Sequence, residues 1–172
     1  ESQNLILSLG RIDDADEVFV NGQRVGGLGQ FPPAYLSAYA ERRLYPVPSA
    51  LLQPGKANVV AVRVYDGGGV GGLVRGRIGL YTGYPLPAGL ALDGAWLFAP
   101  GDNPAWKEPA CDESPFRPIQ VPAVWEHAGF AGLDGHGNRL ARVTMTSSFT
   151  VSLLGFPDGG TTGQELLVNE IG

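Results

Sequence analysis

Residues 5–22 constrain the architecture of this chain more than any other stretch. Leu5, Leu7 and Leu9 alternate with Ile6, Ser8 and Gly10, the period-two pattern of a strand with one buried face. An acidic run, Asp13, Asp14, Asp16 and Glu17, follows, and Val18-Phe19-Val20 restores β-forming composition. These residues lead straight into Asn21-Gly22. Both tolerate the positive φ that a two-residue type I′ hairpin needs, so Gln23-Arg24-Val25 is predicted to begin the return strand.

The rest of the chain is punctuated in the same way. Its 172 residues hold 26 glycines and 14 prolines, spread at short intervals rather than gathered in one linker, which favours many short strands joined by turns. Residues 26–33 read as a long surface loop, and Tyr35 to Arg43 as a turn or two of helix. Leu44 to Pro48 is extended, because each proline biases its predecessor away from helix, and Ser49 to Leu52 is a short turn. Asn58 to Tyr65, with its four valines, is the strongest β signal and is predicted to lie centrally in a sheet. Asp66 to Gly72 is a Gly-rich turn, Ile78 to Tyr81 a short strand, residues 84–87 a linker, and Thr144 to Leu154 a late strand.

The run from Leu9 to Gly22, Leu-Gly-Arg-Ile-Asp-Asp-Ala-Asp-Glu-Val-Phe-Val-Asn-Gly, resembles the core signature of the sugar-binding jelly-roll domain of glycoside hydrolase family 2. That domain recurs in sialate O-acetylesterases and in some bacterial extracellular sensor domains. The resemblance implies an all-β, galactose-binding-like jelly-roll sandwich, an accessory role with the catalytic residues in a different domain, and an extracellular or periplasmic location. It also covers Leu92 to Phe98, Gly101 to Trp106, Asp112 to Phe116 and Val121 to Glu126, but in the family these motifs precede the acidic strand. Residues 1–83 thus resemble the second half of the module and residues 88–172 its first half. Two arrangements fit: one sandwich over 1–172 with its halves exchanged, or parts of two tandem modules. Gln164 to Gly172 resembles Gln3 to Gly10, so one sheet position has two claimants and a homodimer through the terminal strands is an expected form.

Composition narrows the function classes. A formal charge of −5 and no run of Lys or Arg argue against nucleic acid and anionic membranes as partners. There is no membrane-length apolar run and no signal-peptide pattern, although a chain that begins with Glu1 is expected to have lost a leader or an upstream portion. The single cysteine, Cys111, forbids an intramolecular disulfide. No Gly-x-Ser-x-Gly elbow marks a nucleophile, and His127 and His136 with one cysteine cannot close a zinc site. No carboxylate pair is singled out for glycoside hydrolysis. The acidic run is read as structural, since strand alternation sends its side chains to opposite faces. Neither an enzyme nor a cofactor or metal site is expected.

Sugar binding is the positive expectation, because aromatic rings stack on pyranose faces while carboxylates and amides take the hydroxyls. The ligand-binding candidates are Tyr35, Tyr39, Arg43, Asp66, Trp106 and Trp125, with core filling as the competing reading for the tryptophans. The expected partners are a carbohydrate and a neighbouring catalytic domain. The alternatives are an extracellular sensor or protein-interaction domain without a sugar ligand, and a detached fragment with no function of its own.

Overall fold

The computed structural model describes residues 4–83, 85–86, 89–130 and 137–145. They form two antiparallel sheets packed face to face. β1 (Asn4–Asp13), β4 (Arg43–Pro48), β6 (Gly72–Tyr81), β7 (Gly89–Ala91) and β10 (Ala123–Val124) make the first, in the order β10-β6-β1-β4 with β7 also on β6. β2 (Ala15–Val20), β3 (Gln23–Leu28), β5 (Asn58–Asp66), β8 (Gly94–Pro100), β9 (Arg117–Val121) and β11 (Gly137–Met145) make the second, in the order β3-β2-β5-β11-β8-β9. Both sheets therefore take strands from before and after the 84–88 stretch. No helix among the described residues is long and apolar enough to cross a membrane.

The hairpin at Asn21-Gly22 forms as its sequence requires, with φ of 49° and 80°. Asn21 then does a second job: its Oδ1 accepts from Val59 N and its Nδ2 donates to Leu51 O, each at 2.8 Å, which ties the turn to β5 and to the 3-10 turn at Ser49–Leu51. β5 is central, paired with β2 on one side and over its whole length with β11 on the other. β1 is likewise flanked by β4 and β6, so the N-terminal strand has no open edge. The rival segment Gln164 to Gly172 lies outside the described residues, as do His136 and the strand expected beyond Met145.

The core lies between the sheets. Leu5, Leu7, Leu9 and Ile12 of β1 meet Val60, Val62 and Val64 of β5, with Trp96 and Phe98 of β8 and Trp125 packed among them. Fully burying such a side chain is worth about 1.5–3 kcal/mol each. A smaller cluster, Ala61, Ala99, Phe116 and Leu140 with Trp106 and Cys111, sits on the outer face of the second sheet under residues 101–116.

Two local expectations change. Gly26 to Leu28 belong to β3 rather than to a loop: Gly26 lies where a Cβ would fall 2.1 Å from the Tyr45 ring, so glycine here permits strand pairing over a core aromatic. Tyr35 to Arg43 is not helical. Arg43 donates to the carbonyls of Ala38 and Glu41, satisfying groups that would otherwise be helix acceptors.

Candidate functional site

β1 and β2 meet at Asp14, and the acidic run is divided there by strand geometry. Asp16 points inward, where its Oδ1 accepts from Arg43 Nε at 2.7 Å and its Oδ2 from the Tyr45 hydroxyl at 2.5 Å. Arg43 also donates through Nη2 to Asp14 O at 2.8 Å. Its guanidinium is fully enclosed, so it fastens the acidic turn and the 38–41 loop together and offers no face to a ligand. Glu17 points outward to Arg63, 2.9 Å away.

Asp14 bridges two loops. Its carboxylate accepts from Ser37 Oγ and, at 2.8 Å, from Gly67 N. Burial works against its charge, but hydrogen bonds from Ser37, Asp13, Gly67 and Tyr35 hold it below the usual carboxylate range. Asp13 carries the matching shift. Burial, a hydrogen bond to Asp14, and repulsion from Asp14 and Asp66 push its carboxyl up to about 7. Asp66 ends β5 fully buried; burial raises it, with the Gly68 N–H opposing and Glu126 repelling. Its Oδ1 accepts from Gly68 N at 2.8 Å, while its Oδ2 and Oε1 of Glu126 are buried without a hydrogen-bond partner. Asp13, Asp14 and Asp66 thus do gather at one corner, a convergence that alternation within a single strand does not foresee.

Beside this corner runs a strip of rings. Tyr35 lies 5.3 Å from Tyr65, and Tyr65 6.0 Å from Phe31, centroid to centroid. Arg63 covers Phe31 at 4.1 Å and holds Asp102 at 2.6 Å. Beyond Arg63 the surface dips into a groove of about 280 Å³ between Phe19, Asn103 and Lys107. Burial and a hydrogen bond to Asp14 push the Tyr35 hydroxyl up to about 12, so it serves as a donor throughout the physiological range. The strip can stack an apolar ring face, and the acidic corner and Arg63 supply acceptors and donors at its ends.

The sequence candidates divide accordingly. Tyr35, 43% exposed, is in the strip, and Tyr39, 62% exposed, projects from the same loop. Asp66 is buried beneath the corner. Trp125 is wholly in the core, 4.7 Å from Phe98, where it presents no surface to a ligand. Trp106 is half-buried against Phe116 at 5.2 Å, away from the strip. Phe31 and Tyr65 were not singled out by sequence. The signal for Tyr65 was its place two residues after Arg63, on the outward parity of a strand whose Val62 and Val64 point in. Among the described residues no group of three or more His, Cys, Asp or Glu is placed to hold a metal ion. Comparison of the chain with protein-family models, with curated proteins and with solved structures finds no match.

Proposed function

We propose that this chain is a non-catalytic, carbohydrate-binding-like accessory module with a jelly-roll, galactose-binding-like sandwich, working beside a catalytic domain outside the cytoplasm. The observation that carries the reading is the Tyr35–Tyr65–Phe31 strip, an aromatic surface with carboxyl and guanidinium groups at its ends. The resemblance of Leu9 to Gly22 to the family 2 sugar-binding domain supplies the accessory role. The acidic motif fits it, since Asp14 and Asp16 are occupied in fixing backbone and Arg43. A glycan array probed with wild type and with Tyr65→Ala tests it. Wild type is expected to retain a subset of glycans and the variant, checked for an unchanged melting curve, to lose them. No signal from wild type on any glycan overturns the reading.

A second reading, an interaction or sensor domain, is favoured by a specific observation. The exposed large apolar side chains of the described residues, Tyr35, Leu36, Tyr39 and Val70, all belong to the two loops that Asp14 bridges. A protein partner seated there is lost with Leu36→Asp and Val70→Asp and retained with Tyr65→Ala.

A further inference from the structure

On the outer face of the first sheet a groove of about 420 Å³ is lined by Arg11, Arg42, Arg75 and Arg77 around a floor of Gly10 and Gly76. Its volume is within the ~300–1,000 Å³ of small-molecule sites. The arginines converge because two strands slip parity at the same place. In β1, Leu9 and Ile12 both face the core although three residues apart, and the register shifts between them. In β6, Leu73 and Ile78 both face the core although five apart. Such bulges turn Arg11, Arg75 and Arg77 outward together. The floor is bare backbone by necessity: Gly10 has φ of 65°, and a Cβ there would lie 2.2 Å from Arg75 O.

Among the described residues the charge of this groove is uncompensated: no carboxylate lines it, and the side chains of Arg11, Arg42 and Arg75 make no ion pair or hydrogen bond there. Arg77 is held in place, donating to Leu86 O at 2.9 Å with its guanidinium 5.1 Å over the Tyr81 ring. This is a local excess of positive charge on a chain of net charge −5. Guanidinium groups grip carboxylate and sulfate oxygens in bidentate fashion, and Leu44 and Leu86 add apolar surface to the wall.

We infer that this groove binds the anionic substituents of an acidic saccharide, carboxylate or sulfate. The saccharide part rests on the function proposed above; the anionic part rests on the groove. The test is calorimetry of the full chain with polygalacturonate, dextran sulfate, neutral dextran, polyglutamate and an oligodeoxynucleotide, repeated with Arg42→Gln and Arg75→Gln. Both arginines are exposed, so the variants are expected to melt as wild type does, and circular dichroism verifies it. The expected result is binding of one or both acidic polysaccharides in preference to the other polymers, weakened roughly tenfold by each substitution, the loss of one charge-assisted contact. Polygalacturonate against dextran sulfate identifies the anionic group. Binding of neutral dextran as tightly as the acidic polymers, unaffected by either variant, overturns the anionic inference and leaves the carbohydrate reading standing. Equal binding of polyglutamate or the oligonucleotide, lost in both variants, overturns the saccharide assignment and keeps only an anion site. Binding of none of the polymers overturns the inference, and the glycan array then judges the carbohydrate reading by itself.

Discussion

On the outer face of the six-stranded sheet, Arg63 lies between Glu17 and Asp102 and over the Phe31 ring; across the sandwich, Arg11, Arg42 and Arg75 line a groove that no carboxylate of the described residues enters. The same residue type closes one surface and opens the other. Between the two faces stands Arg43, buried on Asp16, one residue from an arginine that is exposed and has no ion pair among the described residues. What an arginine does in this fold is decided by the acceptors that topology brings to it. On the aromatic face charge is already balanced, so a ligand there must gain by stacking and by displacing existing pairs. On the arginine face charge is unbalanced, so a ligand gains by supplying what is missing.

The contrast between Arg42 and Arg43 breaks most sharply under substitution. Arg43→Ala takes the ion-pair partner from buried Asp16, leaving it the hydrogen bond from the Tyr45 hydroxyl, and is expected to cost about 3–5 kcal/mol in denaturant unfolding. Arg42→Ala, an exposed change, should stay within about 0.5 kcal/mol; comparable losses for the two would dissolve the distinction. The acidic corner gives the next effect, in pH. Because the folded carboxyl of Asp13 titrates near 7 and an unfolded one near 3.9, folding favours its protonated form. Its contribution is therefore complete below about pH 4 and fades as pH rises through 7. Melting temperatures taken between these limits should fall with pH in wild type, and Asp13→Asn, which keeps a donor toward Asp14, should flatten the slope.

Smaller effects sharpen the comparison of faces. A double-mutant cycle on Arg63 and Asp102 should return a coupling of about 0.2–1 kcal/mol, the range of partly exposed pairs, and sodium chloride should reduce it. Leu44→Glu places a carboxylate in the arginine groove. It should change stability by less than about 0.5 kcal/mol while removing polyanion binding, which would make the second face behave like the first.

The strand pattern of residues 5–9, the Asn21-Gly22 hairpin and the central place of β5 were legible because each is settled by local chemistry: alternation, positive φ and β-branched side chains. The two-sheet sandwich follows from them. The arginine groove was not legible, since strict alternation from Leu9 would send Arg11 into the core. Only the bulge at Gly10 reverses it, and the clue was a glycine interrupting a leucine alternation. The arginines are also scattered in sequence, so a search for runs of basic residues overlooks what two facing bulges assemble. The ring strip was half legible, through Tyr35. Phe31 and Tyr65 meet it because Asp14 pulls the 35–38 loop against Gly67, a long-range contact without a local pattern. Arg43 is a ligand-binding candidate by sequence because it flanks Gly- and Pro-rich loops, but its buried acceptors, Asp16 and Asp14 O, lie far away in the chain and leave no local sign.

The pairing of β5 with β11 has a consequence for how the molecule comes into being. The most valine-rich strand, Val59 to Val64, obtains its second neighbour from residues 137–145, so while the chain is being synthesised that strand has to wait until most of the described sequence has emerged. Contacts so distant are slow to close, and until then an apolar strand edge stands open to any extended segment of another molecule. Ending the chain before Gly137 makes that interval permanent, and such a truncation should accumulate as insoluble material even though every strand of the acidic motif is present.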